Sequence, residues 1–367
     1  MTLESELALY RQRITTDSYP MSISEIANLY KDGEIDIHPE FQRIFRWSDS
    51  QRTQLIESIL LGIPLPSIFV AQSKNGIWDV VDGVQRLSTI FQFMGILRDE
   101  DDNLLPPLVC GQAPFLSSLE GVTYQPAEGA AAALTRPQQL DFKRSRVDIK
   151  IIKRESDKRA KYDLFQRLNS LGSVATPQEL RNCLLVSLSR THFDWLQDIS
   201  SSDAFQKVLN LPERLLDEQY HLELALRFVT LRTLPERRIS SIGNIGDFLS
   251  GEILPFTEKS YSDLRGEQEA FESCFTLLNA ALGADAMRKW NPSRERTEGA
   301  FSSTAYEVLA LGLGYHLPKR DCSIEEVQSA RQLLWSDPKF APGFATGMRA
   351  DQRMKKTIPY GRQLFSA

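Results

Sequence analysis

The segment Asp82-Gly83-Val84-Gln85-Arg86 combines residue types that bind phosphate groups. An apolar, β-branched run over 77–81 precedes it, which predicts a buried strand. The residues after it recur at helical spacing and predict one apolar helix face, formed by Leu87, Ile90, Phe91 and Met94. The segment is therefore predicted to lie at an exposed helix start, where backbone N–H groups attract an anion. The alternative is an ordinary Asp-Gly turn that binds nothing, and spacing alone does not choose between them.

The polar side chains of this segment each have two interpretations. Arg86 can act as a forked clamp on phosphate oxygens, or form a surface salt bridge. Asp82 can hold a Mg²⁺ ion that bridges phosphates, or cap the helix that follows it. Gln85 can orient a water molecule or the phosphate chain, or bond to the backbone of the turn. Under the functional interpretation, Asp82 and Gln85 are the predicted catalytic residues and Gly83 allows the turn.

A second motif lies about forty residues upstream, with the sequence Phe41-Gln42-Arg43 followed by Trp47. Together with a helix ending before Gly62-Ile63-Pro64-Leu65-Pro66 and the Asp82–Arg86 turn, it resembles the N-terminal domain of GmrSD-type restriction endonucleases. This family is a branch of the ParB/sulfiredoxin-like superfamily. A further match lies at Asn169-Ser170-Leu171-Gly172, which leads into 176–182. Position 84, where the family most often has glutamine, is Val84, so the turn has one polar side chain fewer.

The resemblance implies a nucleoside-triphosphate site, with Mg²⁺ and weak hydrolysis, in a prokaryotic defence system against foreign DNA. It places Gln42, Arg43 and Asn169 on the nucleotide beside the residues of the Asp82–Arg86 turn. Asn169 and its neighbour Ser170 have an equal alternative role in shaping their own turn. Trp47 is predicted to pack in the core rather than against a base.

The resemblance also implies where the nuclease is carried. The sequence has neither a Gly-x-x-x-x-Gly-Lys-[Ser/Thr] loop nor a histidine-rich nuclease motif. The nuclease is therefore expected on a partner chain, and no cleavage is expected from this chain alone.

Composition indicates a folded chain. Its 367 residues are 42% hydrophobic and 25% charged, with a formal net charge of −5, and they suffice for two packed units. No apolar run is long enough to span a membrane and the start lacks signal-peptide features, so the cytoplasm is the expected compartment. The four cysteines are far apart and predict neither a zinc site nor a disulfide framework. These features are compatible with a homo-oligomer.

The predicted fold is α+β, with a small ParB/sulfiredoxin-like mixed sheet and flanking helices followed by a mostly α-helical domain. The predicted first domain covers 1–155, with its core at 20–98 and 146–155 and a loop-rich insert at 99–145. Capping boxes at Ser22 and Ser48 and an Asn75-Gly76 hairpin turn set its local structure. The predicted second domain covers 156–367 and ends in a basic, weakly structured tail. Its predicted helices lie near 157–168, 177–190, 213–233, 262–282, 300–314 and 324–335.

A basic stretch around 143–161 is the candidate nucleic-acid surface, represented by Lys143, Arg144, Arg146 and Lys150. It supports an alternative function, a DNA- or RNA-binding module that uses no nucleotide. A solvated strand edge is the commoner meaning of such a stretch. Asp148 and Lys150 also have the spacing of half a metal-dependent nuclease site, which supports a third function.

Overall fold

A computed structural model of the chain describes residues 3–4, 16–37, 47–73, 75–99, 102–153, 156, 177–340, 344 and 347–366. The side chains of residues 179, 180 and 183 are outside this description. The chain forms two compact units, 1–175 and 176–367. The predicted domain limit after residue 155 stays a prediction, because 157–176 lie outside the described residues.

The first unit has a five-stranded sheet and a small parallel pair, β5 and β6. In chain order the strands are β1 Thr16–Ser22, β2 Ile35–Asp36, β3 Ile68–Gln72, β4 Trp78–Asp82, β5 Val122–Thr123, β6 Ala132–Ala133 and β7 Arg146–Ile152. The sheet order is β1-β7-β3-β4-β2. The β1–β7 and β3–β4 pairs are antiparallel, whereas β7–β3 and β4–β2 are parallel. This topology confirms the predicted mixed sheet.

Local sequence signals account for much of this arrangement. β3 and β4 form the predicted hairpin, in which Gly76 has φ +92° and the Ser73 N–H donates to the Ile77 carbonyl at 2.9 Å. Both capping boxes are present, because the hydroxyls of Ser22 and Ser48 accept N–H groups three residues on. β1 was not predicted, because this edge strand is polar and mostly exposed and lacks apolar alternation.

Among the described residues of the first unit, four α-helices flank the sheet and bury the apolar residues between them. They are α1 Ile23–Lys31, α2 Asp49–Leu60, α3 Val84–Phe93 and α4 Arg136–Arg144. The predicted inner face of α3 is confirmed, and it continues past the last helical residue. It consists of Leu87, Ile90, Phe91 and Met94, which share one core with strand residues such as Val70, Val80 and Ile149. The sheet and α3 together fix the position of the turn at Asp82–Arg86.

The insert at 99–145 is pinned to α2 by buried polar side chains. The Thr53 hydroxyl accepts the Gly111 N–H at 2.9 Å. The Glu57 carboxylate, 3% exposed, accepts the N–H groups of Phe115 at 2.7 Å and Leu116 at 2.6 Å. These contacts give a packed insert, because buried polar groups that are satisfied fix the backbone they bind.

The second unit is mostly helical, as predicted. Its elements are α5 Pro177–Leu188, α6 Arg190–Ser200, α7 Asp203–Leu209, α8 Glu213–Asp217, α9 Tyr220–Leu231, α10 Glu236–Ser241, α11 Ile245–Thr257, α12 Tyr261–Leu282, β8 Lys289–Asn291, β9 Arg296–Glu298, α13 Ser303–Ala305, a π-helical turn Tyr306–Ala310, α14 Leu311–His316, α15 Ile324–Ser336 and α16 Ala350–Leu364. The predicted helix at 213–233 is divided near Gln219, which has φ +54°. The predicted helix at 157–168 lies outside the described residues.

The prediction of a weakly structured tail is wrong for 350–364. These residues form α16, in which Met354 and Ile358 are fully buried. Gly361 brings α16 into backbone contact with the π-helical turn, since a Cβ there would lie 2.3 Å from the Val308 carbonyl oxygen. Met354 and Ile358 are four residues apart and therefore lie on the same face of α16, which is the face that packs in the core. Among the helices of the described residues, none has the length and apolarity needed to cross a membrane.

Candidate functional site

Strand β4 ends at Asp82, and α3 starts two residues later at Val84, with Gly83 as its N-cap. Gly83 is buried and has φ +105°, a backbone conformation that side chains disfavour. A Cβ at this position would lie 2.8 Å from Ile68 Cγ1 and 3.2 Å from the Arg86 guanidinium. Glycine is therefore required both for the conformation and for the close packing of the turn.

Replacing Gly83 with alanine is expected to destabilise the first unit more than the same change at Gly95. Both glycines border α3 and have positive φ, but a Cβ at Gly95 meets nothing within 4 Å. Positive φ costs either alanine about 1 kcal/mol, and the close contacts at Gly83 add roughly 1–3 kcal/mol. Urea denaturation of both variants measures the difference. Equal losses would contradict the packing assigned to Gly83.

Arg86 is buried in the structure, which corrects the expectation that it lies at an exposed helix start. The residue is 9% exposed, and its guanidinium donates to the carbonyl of Pro66 and, at 3.2 Å, to that of Ser67. Its other terminal nitrogen donates to Asp82 Oδ2 at 3.1 Å. Burial lowers the pKa of Arg86, whereas the Asp82 carboxylate opposes that shift. Arg86 thus ties the loop before β3 to the turn.

Asp82 does not cap α3, because Gly83 is the N-cap residue and no side chain of the described residues caps the helix start. One of its oxygens accepts from Arg86, and the side chain is 33% exposed. Within the described ranges no group of three or more His, Cys, Asp or Glu is placed to hold a metal ion. The Mg²⁺ role of Asp82 stays a prediction.

Gln85 joins the turn to the upstream motif. Its Oε1 accepts the Trp47 N–H at 3.3 Å, across 38 positions of sequence. Trp47 is partly buried against the core, which agrees with its predicted packing role. Val84 is 3% exposed and belongs to the same core, so its side chain packs inside. The two motifs identified in the sequence therefore meet at Gln85 and Trp47.

Several predicted site residues lie outside the described residues, namely Gln42 and Arg43 of the upstream motif and Asn169 and Ser170 of the later match. Their roles stay predictions. The residues that follow the later match are described in part, and they belong to the second unit.

A buried polar network forms where the later match enters α5. Gln178, Arg181 and Asn182 are each at most 3% exposed. Arg181 donates to Gln178 Oε1 at 2.9 Å and pairs with Glu223 of α9. Asn182 donates to Gln219, the positive-φ residue before α9. These family-matched side chains thus hold α5 against α9.

The predicted nucleic-acid residues lie on α4 and on the outer face of β7. Lys143 and Arg144 are in the last turn of α4, and Arg146 begins β7 as an exposed residue. Lys150 is half-buried and donates to the Ser18 hydroxyl of β1 at 2.8 Å. Asp148 lies two residues before Lys150 and is exposed. Lys150 is therefore held by the neighbouring strand, whereas Arg144 and Arg146 face solvent.

A cavity of about 700 Å³ lies in the first unit, at the opposite end of α3 from the turn. Gly95 and Ile96 line it together with Ile35 and Ile37 of the segment around β2. It shares no lining residue with the Asp82–Arg86 turn, so it is a separate feature of the unit.

Comparison with known proteins agrees with the two motifs. Residues 23–186 match the family model described as GmrSD restriction endonuclease, N-terminal domain. No curated protein and no solved structure matches the chain. The match spans α1, the Trp47–Gln85 contact, the turn at Gly83 and most of α5. Residues 23–186 are therefore a GmrSD restriction endonuclease N-terminal domain, a component of restriction systems.

Proposed function

We propose that this chain binds a nucleoside triphosphate at the start of α3 and thereby controls a nuclease on a partner chain. The observation that carries the proposal is the contact between Trp47 and Gln85, which joins the two motifs of the family at a helix start that no described side chain caps. A helix start attracts phosphate through its dipole and its backbone N–H groups. Gly83 keeps the backbone free of a side chain at that point.

The turn supplies complementary groups for such a ligand. Asp82, one-third exposed, is the proposed Mg²⁺ ligand, because Mg²⁺ prefers carboxylate oxygens and phosphates. Gln85 is the proposed residue for orienting water during slow hydrolysis. Arg86 fixes the turn in place by donating hydrogen bonds to the carbonyls of Pro66 and Ser67. We therefore propose that it holds the turn in the conformation that binds the phosphates. Gln42, Arg43 and Asn169 are proposed to complete the site.

Calorimetric titration of the whole chain with each of the four common ribonucleoside triphosphates and Mg²⁺ tests the proposal. We expect saturable binding of at least one nucleotide. Bound nucleotide should stabilise the folded state by about 2.7 kcal/mol when its concentration is 100 times Kd. Neither heat of binding nor stabilisation for any of the four would contradict the proposal.

The chain alone is expected not to cleave plasmid DNA or RNA when triphosphate and Mg²⁺ are present. The proposal places the nuclease on a partner, and a metal-dependent nuclease needs several carboxylates or histidines around its ion. An Asp148→Ala variant is the control, because Asp148 is the carboxylate of the alternative nuclease site. Cleavage that disappears in this variant would contradict the proposal and support that alternative.

The second candidate function is nucleic-acid binding through the outer face of β7 and the end of α4. The exposed side chains of Arg144 and Arg146 favour it. Binding of this kind weakens as salt rises, because phosphate contacts release counterions. Salt-dependent DNA binding without nucleotide, lost in an Arg144→Ala/Arg146→Ala variant, would support this candidate.

A further inference from the structure

The second unit contains a cavity of about 1170 Å³ that neither motif involves. It lies between the ends of α14 and α16 and the turn Pro338–Phe340. Its volume is slightly above the roughly 300–1,000 Å³ of ordinary ligand pockets. Aromatic and cationic side chains dominate the lining, notably Tyr315, Lys339, Phe340, Lys356, Tyr360 and Arg362.

One wall of the cavity is an aromatic cluster. Phe340 is 3% exposed and packs on Tyr360, with ring centroids 4.7 Å apart. Phe340 also meets Phe344 edge-on at 4.8 Å. Phe340 therefore anchors two partly exposed rings that line the cavity, and such rings offer flat faces on which a nucleic-acid base can stack.

Cations line the cavity beside this wall. Lys339, Lys356 and Arg362 contribute three positive charges, and Glu236 contributes one negative charge. Asp337 also lies close, where it accepts a hydrogen bond from Tyr360. In the part of the chain that the structure describes, neither Lys339 nor Lys356 forms an ion pair with a carboxylate. The lining therefore has an excess of positive charge that favours an anion.

Arg362 is fixed in place before any ligand arrives. One terminal nitrogen donates to the carbonyls of Leu231, Arg232 and Leu234 at 2.8–3.1 Å. Its Cζ lies 4.6 Å from the ring centroid of Tyr315, and Lys319 lies over the same ring. Both cations thus add positive charge at this end of the cavity, and the hydrogen bond and charge of Lys319, with the charge of Arg362, lower the pKa of the Tyr315 hydroxyl.

We infer that this cavity binds a nucleotide unit, with the base on the partly exposed rings of Phe344 and Tyr360 and the phosphate on Lys356 and Arg362. Stacking and charge act together in this arrangement, as they do in proteins that bind single strands. The unit can be a free mononucleotide or a residue of a single strand, because both present one base and one phosphate. The site is distinct from the turn at Gly83, because it lies entirely within the second unit.

Binding to a Gln85→Glu form of the full chain tests this inference with a weakened contribution from the turn. The probes are deoxyadenosine monophosphate, a single-stranded oligothymidylate and inorganic phosphate. Lys356→Glu should weaken nucleotide binding by about tenfold or more, because it reverses a charge at the phosphate position. Lys355→Glu is the matched control, since this neighbour on the same helix is exposed and does not line the cavity. It should change binding by less than about twofold.

The outcomes distinguish a free nucleotide from a nucleic-acid strand, and they include results that would overturn the inference. Binding of the monophosphate supports a free nucleotide, and binding of the oligonucleotide alone supports a strand. Inorganic phosphate that binds as tightly as the monophosphate would show that the aromatic wall contributes nothing, and would overturn the inference. So would equal losses in Lys356→Glu and Lys355→Glu, or no binding of any probe. Melting temperatures of both variants establish that they are folded.

Discussion

Replacing Gln85 with glutamate is expected to weaken nucleotide binding while leaving the fold intact. The glutamate keeps an oxygen that can accept the Trp47 N–H and places a negative charge in the first turn of α3. An anion at a helix start stabilises the helix by about 0.3–1 kcal/mol, but repels a triphosphate at the same position. We expect affinity to fall by at least about tenfold, which corresponds to about 1.4 kcal/mol. Isothermal calorimetry with the preferred nucleotide measures this loss.

Gln138→Glu is the matched control for that experiment. Gln138 also lies in the first turn of a helix of the first unit, and its Oε1 accepts the Thr135 N–H at 2.8 Å. The change therefore adds the same charge to the same kind of position, away from the Asp82–Arg86 turn. It should leave nucleotide affinity within about twofold of the original chain. Equal affinities of the two variants would place the nucleotide elsewhere.

Replacing Gly361 with alanine is expected to destabilise the second unit strongly. The new Cβ would lie 2.3 Å from the Val308 carbonyl oxygen and 2.8 Å from the Val308 Cα. Backbone atoms cannot rotate away, so α16 has to move off the π-helical turn. Overpacking of this kind costs roughly 1–3 kcal/mol or more, and each kcal/mol lowers Tm by about 2–4 °C in a unit of this size. Thermal unfolding followed by circular dichroism measures the loss.

Gly266→Ala provides the control for helix propensity. Gly266 lies in the exposed face of α12, and a Cβ there meets nothing within 4 Å. Alanine at such a position stabilises a protein by about 0.4–1 kcal/mol. The two variants should therefore shift Tm in opposite directions. A Gly361→Ala chain that melts at or above the original temperature would contradict the close packing of α16.

The turn at Asp82–Arg86 was predictable because its signals are local. An apolar strand, a glycine and an amphipathic helix lie next to one another in sequence, and the structure contains each of them. Both capping boxes and the Asn75-Gly76 hairpin are local in the same way. Each of these local structures depends on a few neighbouring residues, and the tertiary contacts of the fold favour the same conformations.

The burial of Arg86 was not predictable from the same segment. It depends on the carbonyls of Pro66 and Ser67, about twenty positions earlier, at the end of the Gly62–Pro66 motif. That motif was recognised in the sequence, but nothing in its residue types indicates that its carbonyls accept from an arginine. Arg86→Ala is consequently an unsuitable test of nucleotide binding, because it also removes the donor that the part-buried carbonyls of Pro66 and Ser67 share.

The C-terminal helix was missed for a different reason. Basic residues such as Arg349, Arg353 and Lys356 dominate the composition, and Pro359 and Gly361 are poor helix formers. The spacing of Met354 and Ile358 was the available signal for a buried face. Arg353 forms an ion pair with the buried Glu307 of the π-helical turn. Part of the basic charge of α16 is therefore neutralised inside the protein.

Hydrogen–deuterium exchange with and without nucleotide and Mg²⁺ tests the central claim most directly. Backbone amides at a helix start become protected when a phosphate accepts their hydrogen bonds. We predict slower exchange in the peptide 82–88 and no change in 94–99, at the other end of α3. Unchanged exchange in 82–88 at saturating nucleotide, or protection confined to 339–362, would contradict the assignment of the nucleotide to the Asp82–Arg86 turn.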